Sequence, residues 1–233
     1  MSQWNKLTDI FGCNTHGDVI PECAADNICI AWPSVIEGIK KQFPCQSGLN
    51  ALDFGCGGGL FCKKLYKMGF NVTGYDNSEE LAKKAQENTP TDVTISGSLT
   101  EIEQMGKYDL ITSIMVFQFI DDISSTIDDI ISLLKPGGMV IYAVFNPKFI
   151  RDNLNSDVFT KVPENGKVYM ELKKGIKIPF NNRKDSDYRY IFEKKNYKEV
   201  YIDYPKFTEE FLKKYNMPFS TKYSEYLIQA FWK

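Results

Sequence analysis

The stretch LDFGCGGG, residues 52–59, decides how the rest of the chain is read. A short aliphatic run and an acid, Asp53, lead into a loop with glycine at 55, 57, 58 and 59. Glycine-rich loops hold nucleotides in several ways, and the spacing separates them. A phosphate-cradling P-loop requires GxxxxGK[ST], and no Lys-Ser or Lys-Thr follows here. The dinucleotide fingerprint GxGxxG requires glycine at 55, 57 and 60, but position 60 is Leu60. What stands is GxGxG behind an acid. A carboxylate at that point repels a pyrophosphate and attracts an ammonium group, directly or through water. The loop suits a ligand with no phosphate at this end.

Around the loop the chain alternates β-type runs with helical patterns, which predicts βα units on a parallel sheet. LNALDF (49–54) reads as a first buried strand. LFCKKLYKMG (60–69) places Leu60, Phe61, Leu65 and Met68 at helical spacing, with Gly69 as the stop. FNVTGYD (70–76) is a second strand, and Ser78 is positioned to cap the helix EELAKKAQEN. Runs 92–97, 107–114 and 139–145 supply three more strands. An amphipathic helix over 120–134 carries Ile123, Ile127, Ile130 and Leu134, and LKPGG follows as a turn. Ahead of the loop, a helix runs from Pro33 and Ser34 to Phe43. Beyond residue 145 the rhythm breaks. A hairpin is expected over 167–180 around Gly175, then a helix over 186–196 with Tyr188, Ile191 and Phe192 on one face. YKEVYIDYP and SEYLIQAFWK read as two final strands, with FTEEFLKKY (207–215) between them.

The second strand ends in Asp76, 21 residues after Gly55. An acid there accepts hydrogen bonds from two vicinal ribose hydroxyls. An amino-acid end near the glycines and a ribose near Asp76 describe S-adenosylmethionine (SAM). ALDFGCGGG, GYDNS, KYDLITSIMVFQFIDD and LLKPGGMVIY, in that order over 51–145, resemble the class I, seven-stranded SAM-dependent methyltransferases.

The resemblance implies an α/β fold. Its sheet is seven-stranded and mostly parallel, with helices on both faces, the last strand antiparallel and a small β-rich lid. One domain would span 1–233: a covering segment over 1–32, the SAM-binding core over 33–145, a lid insertion over 146–184 and the rest of the sheet over 185–233. The resemblance also assigns contacts. Asp53, Gly55 and Gly57 would line the methionine end, with the backbone of Cys56 and Gly57 close to the cofactor. Asp76 would hold the ribose and Asn77 would sit against the adenine. The adenine amino group would meet Ser98 or the backbone of Leu99. Ile114 and Met115 would pass beneath the sulfonium, and S-adenosylhomocysteine (SAH) would be the product. Many relatives carry a His pair where this chain has Gln118 and Phe119, so no imidazole base comes from there, and no catalytic residue is assigned.

Other features bound the partners. The net charge of −2 divides into +5 over residues 151–233 and −7 over the remainder, without the dense basic patch of a nucleic-acid protein. A small-molecule acceptor is expected. The basic excess reads either as a grip on an anionic acceptor by Arg151, Lys177 or Arg183, or as a solvated face. No apolar run approaches the roughly 20 residues that span a bilayer. The start, MSQWNKLTDIF, lacks a signal peptide's basic and apolar regions, so a cytosolic protein is expected. Six cysteines within the first 62 residues form no CxxC pair, and free, mostly buried thiols with no metal are expected. His16, the only histidine, reads as a base in the covering segment or as a surface residue. Trp4, Trp32, Tyr169 and Tyr190 read as pocket walls or as core. Asn146-Pro147 reads as a turn after the fifth strand. Three competing readings stay open: a methyltransferase of RNA or protein, a non-catalytic SAM-binding module, and a nicotinamide dehydrogenase. Oligomeric state has no signature in the sequence.

Overall fold

A computed structural model describes residues 3–14, 19–154, 156–161, 167–173 and 175–233. His16 lies outside them. The chain opens with a 3-10 turn over Gln3–Leu7 and α1 (Thr8–Phe11), then a turn over Glu22–Ala24. A wide π-type turn over Asn27–Ala31 runs directly into α2 (Trp32–Gln42). Next come β1 (Asn50–Phe54), α3 (Leu60–Met68), β2 (Asn71–Tyr75), α4 (Glu79–Asn88), β3 (Thr94–Ser96) and α5 (Leu99–Gln104). After these follow β4 (Tyr108–Ile114), α6 (Ile123–Ser132), β5 (Leu134–Phe145) and α7 (Pro147–Asp152). Strands β6 (Phe159–Lys161), β7 (Val168–Lys173) and β8 (Ile176–Phe180) lead to α8 (Asp185–Glu193), β9 (Lys198–Asp203), α9 (Glu209–Lys214) and β10 (Tyr226–Trp232).

The main sheet has seven strands in the order β3-β2-β1-β4-β5-β10-β9. Strands β1 to β5 pair in parallel, whereas β10 runs antiparallel to both β5 and β9. This is the expected architecture, and β6, β7 and β8 form the small antiparallel sheet beside it. The middle strands are apolar and buried on both faces, as a doubly covered sheet requires: every residue of β5 from Met139 to Phe145 is buried. On one face Ile141, Ala143, Ile228 and Ala230 pack against Val35, Ile39 and Leu65. On the other, Val140, Tyr142, Leu227 and Phe231 pack against Ile127, Ile130, Tyr188 and Phe192. A third apolar group lies under the small sheet, where Phe145 and Phe149 meet Phe159, Met170 and Phe180.

Local signals explain the agreement. Ser78 caps α4 by accepting a hydrogen bond from Leu81 N at 3.3 Å, and Gly69 ends α3 in the left-handed conformation. Four details differ. LKPGG is absorbed into β5: Tyr108 pairs with Leu134 but Leu110 with Met139, so the extra residues bulge from the strand. Helix α5 was not expected, because LTEIEQ buries a single apolar side chain, Ile102. Asn146-Pro147 begins α7: the Asn146 side chain accepts from Lys148 N at 3.0 Å, and proline sits at the first helical position. All six cysteines are free, and only Cys56 and Cys62 are buried. No helix of the described residues is long and apolar enough to cross a membrane.

Candidate active site

The glycine loop is fixed by the ends of two neighbouring strands. Gly55 N and Cys56 N both donate to the carbonyl of Tyr75, at 2.7 and 2.9 Å. Gly57 N then donates to Asp76 Oδ2 at 2.9 Å, while Ser78 N donates to Asp76 Oδ1 at 2.9 Å. Each Asp76 oxygen keeps a free lone pair for a further donor. Burial pushes the Asp76 carboxyl up, and these two backbone donors pull it back. Gly55 needs its missing side chain twice over: its φ is +79°, and a Cβ there would lie 2.3 Å from Val116.

Asp53 points back between the strands. Thr112 donates its hydroxyl to Asp53 Oδ1 at 2.7 Å, and the Cys62 thiol donates to Oδ2 at 3.5 Å. Asp53 is 2% exposed, and burial raises its pKa to about 6 against the pull of both donors, with the Asp76 charge adding to the rise. The adjoining Cys56 thiol, burial and the Asp53 charge push the Cys62 thiol well up.

Beside the loop opens a cavity of about 490 Å³, within the range that holds a drug-sized ligand. All the expected contacts line it except Ser98: Asp53, Gly55, Cys56, Gly57, Asp76, Asn77, Leu99, Ile114 and Met115 are brought together. The Ser98 side chain instead caps α5, accepting from Glu101 N at 3.4 Å. Met115 adopts φ +59°, a left-handed conformation uncommon outside glycine, and its N–H donates to Ala143 O at 2.8 Å. The turn places Met115 on the cavity wall, where the resemblance put it, through a left-handed backbone that no local pattern announces.

The covering segment supplies lining that the sequence did not identify. Phe11, Cys13, Cys23 and Asn27 face the cavity, together with Trp4 and Trp32. The carbonyl of Phe11 accepts from Gly58 N at 2.8 Å. Gly58 lies outside the GxGxG spacing, and a Cβ there would meet Gly12 Cα and Phe11 O at 2.8 Å. This fourth glycine was the visible signal: it admits the N-terminal backbone rather than a ligand. Asn88 Nδ2 reinforces the seat by donating to Gly58 O at 2.9 Å and Gly12 O at 3.3 Å. At the far side, Trp4 packs edge-on to Phe119 with ring centroids 4.8 Å apart.

The insertion behaves differently. No described residue of 146–184 lines the cavity, and Tyr169 and Tyr190 do not either. Arg183 donates to the carbonyls of Phe117, Ile120 and Asp121 at 3.2, 2.7 and 2.8 Å, which ties the small sheet to the loop after β4. Lys177 lies 3.8 Å from Glu171, and Arg151 is exposed on α7. Among the described residues, the charged lining is Asp53, Asp76 and Asp129, with no lysine or arginine. Such a wall attracts an ammonium or sulfonium and repels phosphate. A strand-end acid, a backbone loop and a ribose-height carboxylate on one cavity fit SAM.

A family model described as "Methyltransferase domain" matches residues 32–192. The chain belongs to the class I SAM-dependent methyltransferases. A ubiquinone biosynthesis O-methyltransferase of Rickettsia bellii is 30% identical over 116 residues, 48% of this chain and 48% of the relative. The methyltransferase chain thus spans about half the length of the curated relatives it matches. Two solved structures share the fold. A putative SAM-dependent methyltransferase from Listeria monocytogenes aligns with TM-score 0.65 at 19% identity, covering 88% of this chain and 98% of that one. Magnesium protoporphyrin IX methyltransferase from Synechocystis PCC 6803, crystallised with SAM, aligns with TM-score 0.59 at 18% identity, covering 99% and 89%.

Proposed function

We propose that this protein transfers the methyl group of SAM to a small-molecule acceptor. One observation carries the reading: a single cavity runs from the glycine loop and Asp76 to an aromatic wall built by the covering segment, its lining extending past the expected cofactor contacts. SAM supplies an activated methyl on a positively charged sulfur. The residues of the chain hold and orient it. Asp53 and the loop would take the amino-acid end, Asp76 the ribose hydroxyls, and Asn77 and Leu99 the adenine. Ile114 and Met115 would set the line of approach to the methyl group. Trp4, Trp32 and Phe61 exclude water, so alignment is the main catalytic device. That the curated relative is named as an O-methyltransferase and a structural neighbour as a protoporphyrin methyltransferase supports a small acceptor. Six unbridged cysteines support a cytosolic setting.

Calorimetric titration with SAM and SAH, followed by a mass-spectrometric screen for SAH formation over an acceptor library, tests the proposal. Binding without turnover on any acceptor would leave a SAM-binding module instead. Asp76→Ala should raise the cofactor KM by about tenfold or more with the fold intact, since hydrogen bonds to a charged acceptor contribute roughly 1.5–3 kcal/mol each. An unchanged KM removes the ribose assignment.

A further inference from the structure

Cys13 and Cys23 face the cavity from two separate stretches of the covering segment, and the methyl-transfer reading gives them no task. Helix α1, which ends two residues before Cys13, packs on the turn Glu22–Ala24 with Cα atoms within 8 Å. Cys23 is exposed and Cys13 is half-buried. Burial, and then the Cys23 thiol beside it, pushes the Cys13 thiol up to about 12. Cys56 and Cys62 also adjoin, but both are buried: a Cβ at Gly74 would lie 3.0 Å from one sulfur and 2.9 Å from the other. The thiol pair that solvent reaches is therefore Cys13 and Cys23.

The two cysteines belong to differently anchored pieces of chain. Around Cys13 the chain rests on the cofactor loop and the helices beside it. Gly12 lies against Gly58, Gly12 O accepts from Asn88 Nδ2 at 3.3 Å, and Asn14 Oδ1 accepts from Lys63 Nζ at 2.8 Å. Among the described side chains of residues 3–14, Leu7 alone is buried. Around Cys23 the chain belongs to the core. Ala25 is buried two residues on, and buried Ile30 and Ala31 lead into α2, whose Val35 and Ile39 pack against the sheet. Segments with few buried apolar contacts open locally at low cost, so the first piece lifts and the second stays. A bond between the two sulfurs fastens the part of the cover that moves to the part that does not.

We propose that Cys13 and Cys23 form a reversible oxidation site, where a peroxide converts the two thiols into a disulfide that locks the amino-terminal cover over the cofactor. The effect on the cofactor rests on the methyltransferase reading; the chemistry of the thiols does not. Exposed Cys23 meets the peroxide first. Its sulfur attacks one oxygen, the O–O bond breaks, and a sulfenic acid and one water result. Cys13 is the resolving thiol. Its sulfur attacks Cys23 Sγ, the S–O bond breaks, and the Cys13 proton leaves with that oxygen as a second water. Two electrons pass from the thiols to the peroxide, and an external dithiol returns them. Such a transient link is the kind of disulfide that a reducing compartment allows.

The test treats the full chain, loaded with radiolabelled SAH, with stoichiometric hydrogen peroxide. Peptide mapping by mass spectrometry should show a Cys13–Cys23 link within one molecule, with Cys56 and Cys62 still reduced. Release of the label into an unlabelled SAH chase, followed by rapid filtration, should slow at least about tenfold on oxidation, and dithiothreitol should restore the original rate. In Cys13→Ser and in Cys23→Ser, peroxide should leave each variant's own release rate within about twofold, whereas Cys45→Ser should respond as the parent does. A link between other cysteines, oxidation of Cys23 without a link, or unchanged release from fully linked protein would each overturn the proposal. If the reduced parent binds no SAH, the methyltransferase reading falls, and the peptide map alone then judges the thiol pair.

Discussion

Two segments outside the SAM-binding core were expected to cover the cavity, and they do different things. The first 32 residues reach the cofactor loop backbone to backbone, through Phe11 O and Gly58 N, and line the cavity with Trp4, Phe11 and Asn27. The described residues of the 146–184 insertion build their own apolar cluster around Phe159 and Phe180, line none of the cavity, and meet its wall at Met115, Phe119 and Ile120. Both sit at the carboxyl end of the sheet. What separates them is a tight backbone approach, which only a glycine on the loop permits.

The largest expected effect lies beneath both covers and calibrates them. Asp53 titrates near pH 6 when folded, well above its ordinary value. A raised carboxyl contributes stability that is fully present below the unfolded pKa and is lost as pH rises through the folded one. About 3 kcal/mol should therefore disappear between roughly pH 4 and 6. Denaturant titrations across that window should show the loss in the parent and a flattened profile in Asp53→Asn. Variants of either cover should leave it in place.

Next comes the N-terminal seat. Gly58→Val should displace residues 3–14, because the added side chain meets backbone at 2.8 Å and nothing there can yield. SAH affinity should fall by about 10- to 100-fold, the usual scale of overpacking. Unchanged affinity would erase the contrast between the two covers. Arg183→Ala should act in the opposite sense. Losing three bonds to carbonyls after β4 should lower stability by about 2 kcal/mol in urea, with SAH affinity within about threefold. A large loss of SAH affinity would make the insertion a true cover. Smallest is Trp4→Leu, which removes edge-on ring contacts to Phe11 and Phe119 and should cost about 1 kcal/mol, read as faster proteolysis within residues 3–14 in the presence of SAH.

The comparison also shows what was legible in the sequence. Strands β1, β2 and β4 and helix α4 announce themselves through short-range signals: an aliphatic run, a glycine stop, a serine cap. The expected contacts, Ser98 apart, share one cavity because they stand at strand ends, where pattern and position coincide. Helix α5 was hidden by its single buried residue, and α7 by Asn146-Pro147, which signals a helix start as well as a turn. Met115's left-handed backbone and the docking of Phe11 on Gly58 are products of contacts between segments far apart in the chain. Arg183 illustrates the converse limit: its charge was readable, yet its donors answer three carbonyls that only the folded loop gathers together.

The hydrogen bonds around Asp76 form a closed circuit. Phe11 holds Gly58, Gly57 holds Asp76, Asp76 holds the Ser78 backbone, and the Ser78 hydroxyl donates to Asn5 Oδ1 at 2.6 Å, back on the segment where the path began. A ligand that grips Asp76 therefore shares a partner with the first turn of the chain. Reciprocity requires that cofactor occupancy and the seating of that turn change each other's equilibrium by the same factor. An antibody or affinity tag that pulls on the amino end would act as an effector of the cofactor site, and its strength would measure the coupling directly.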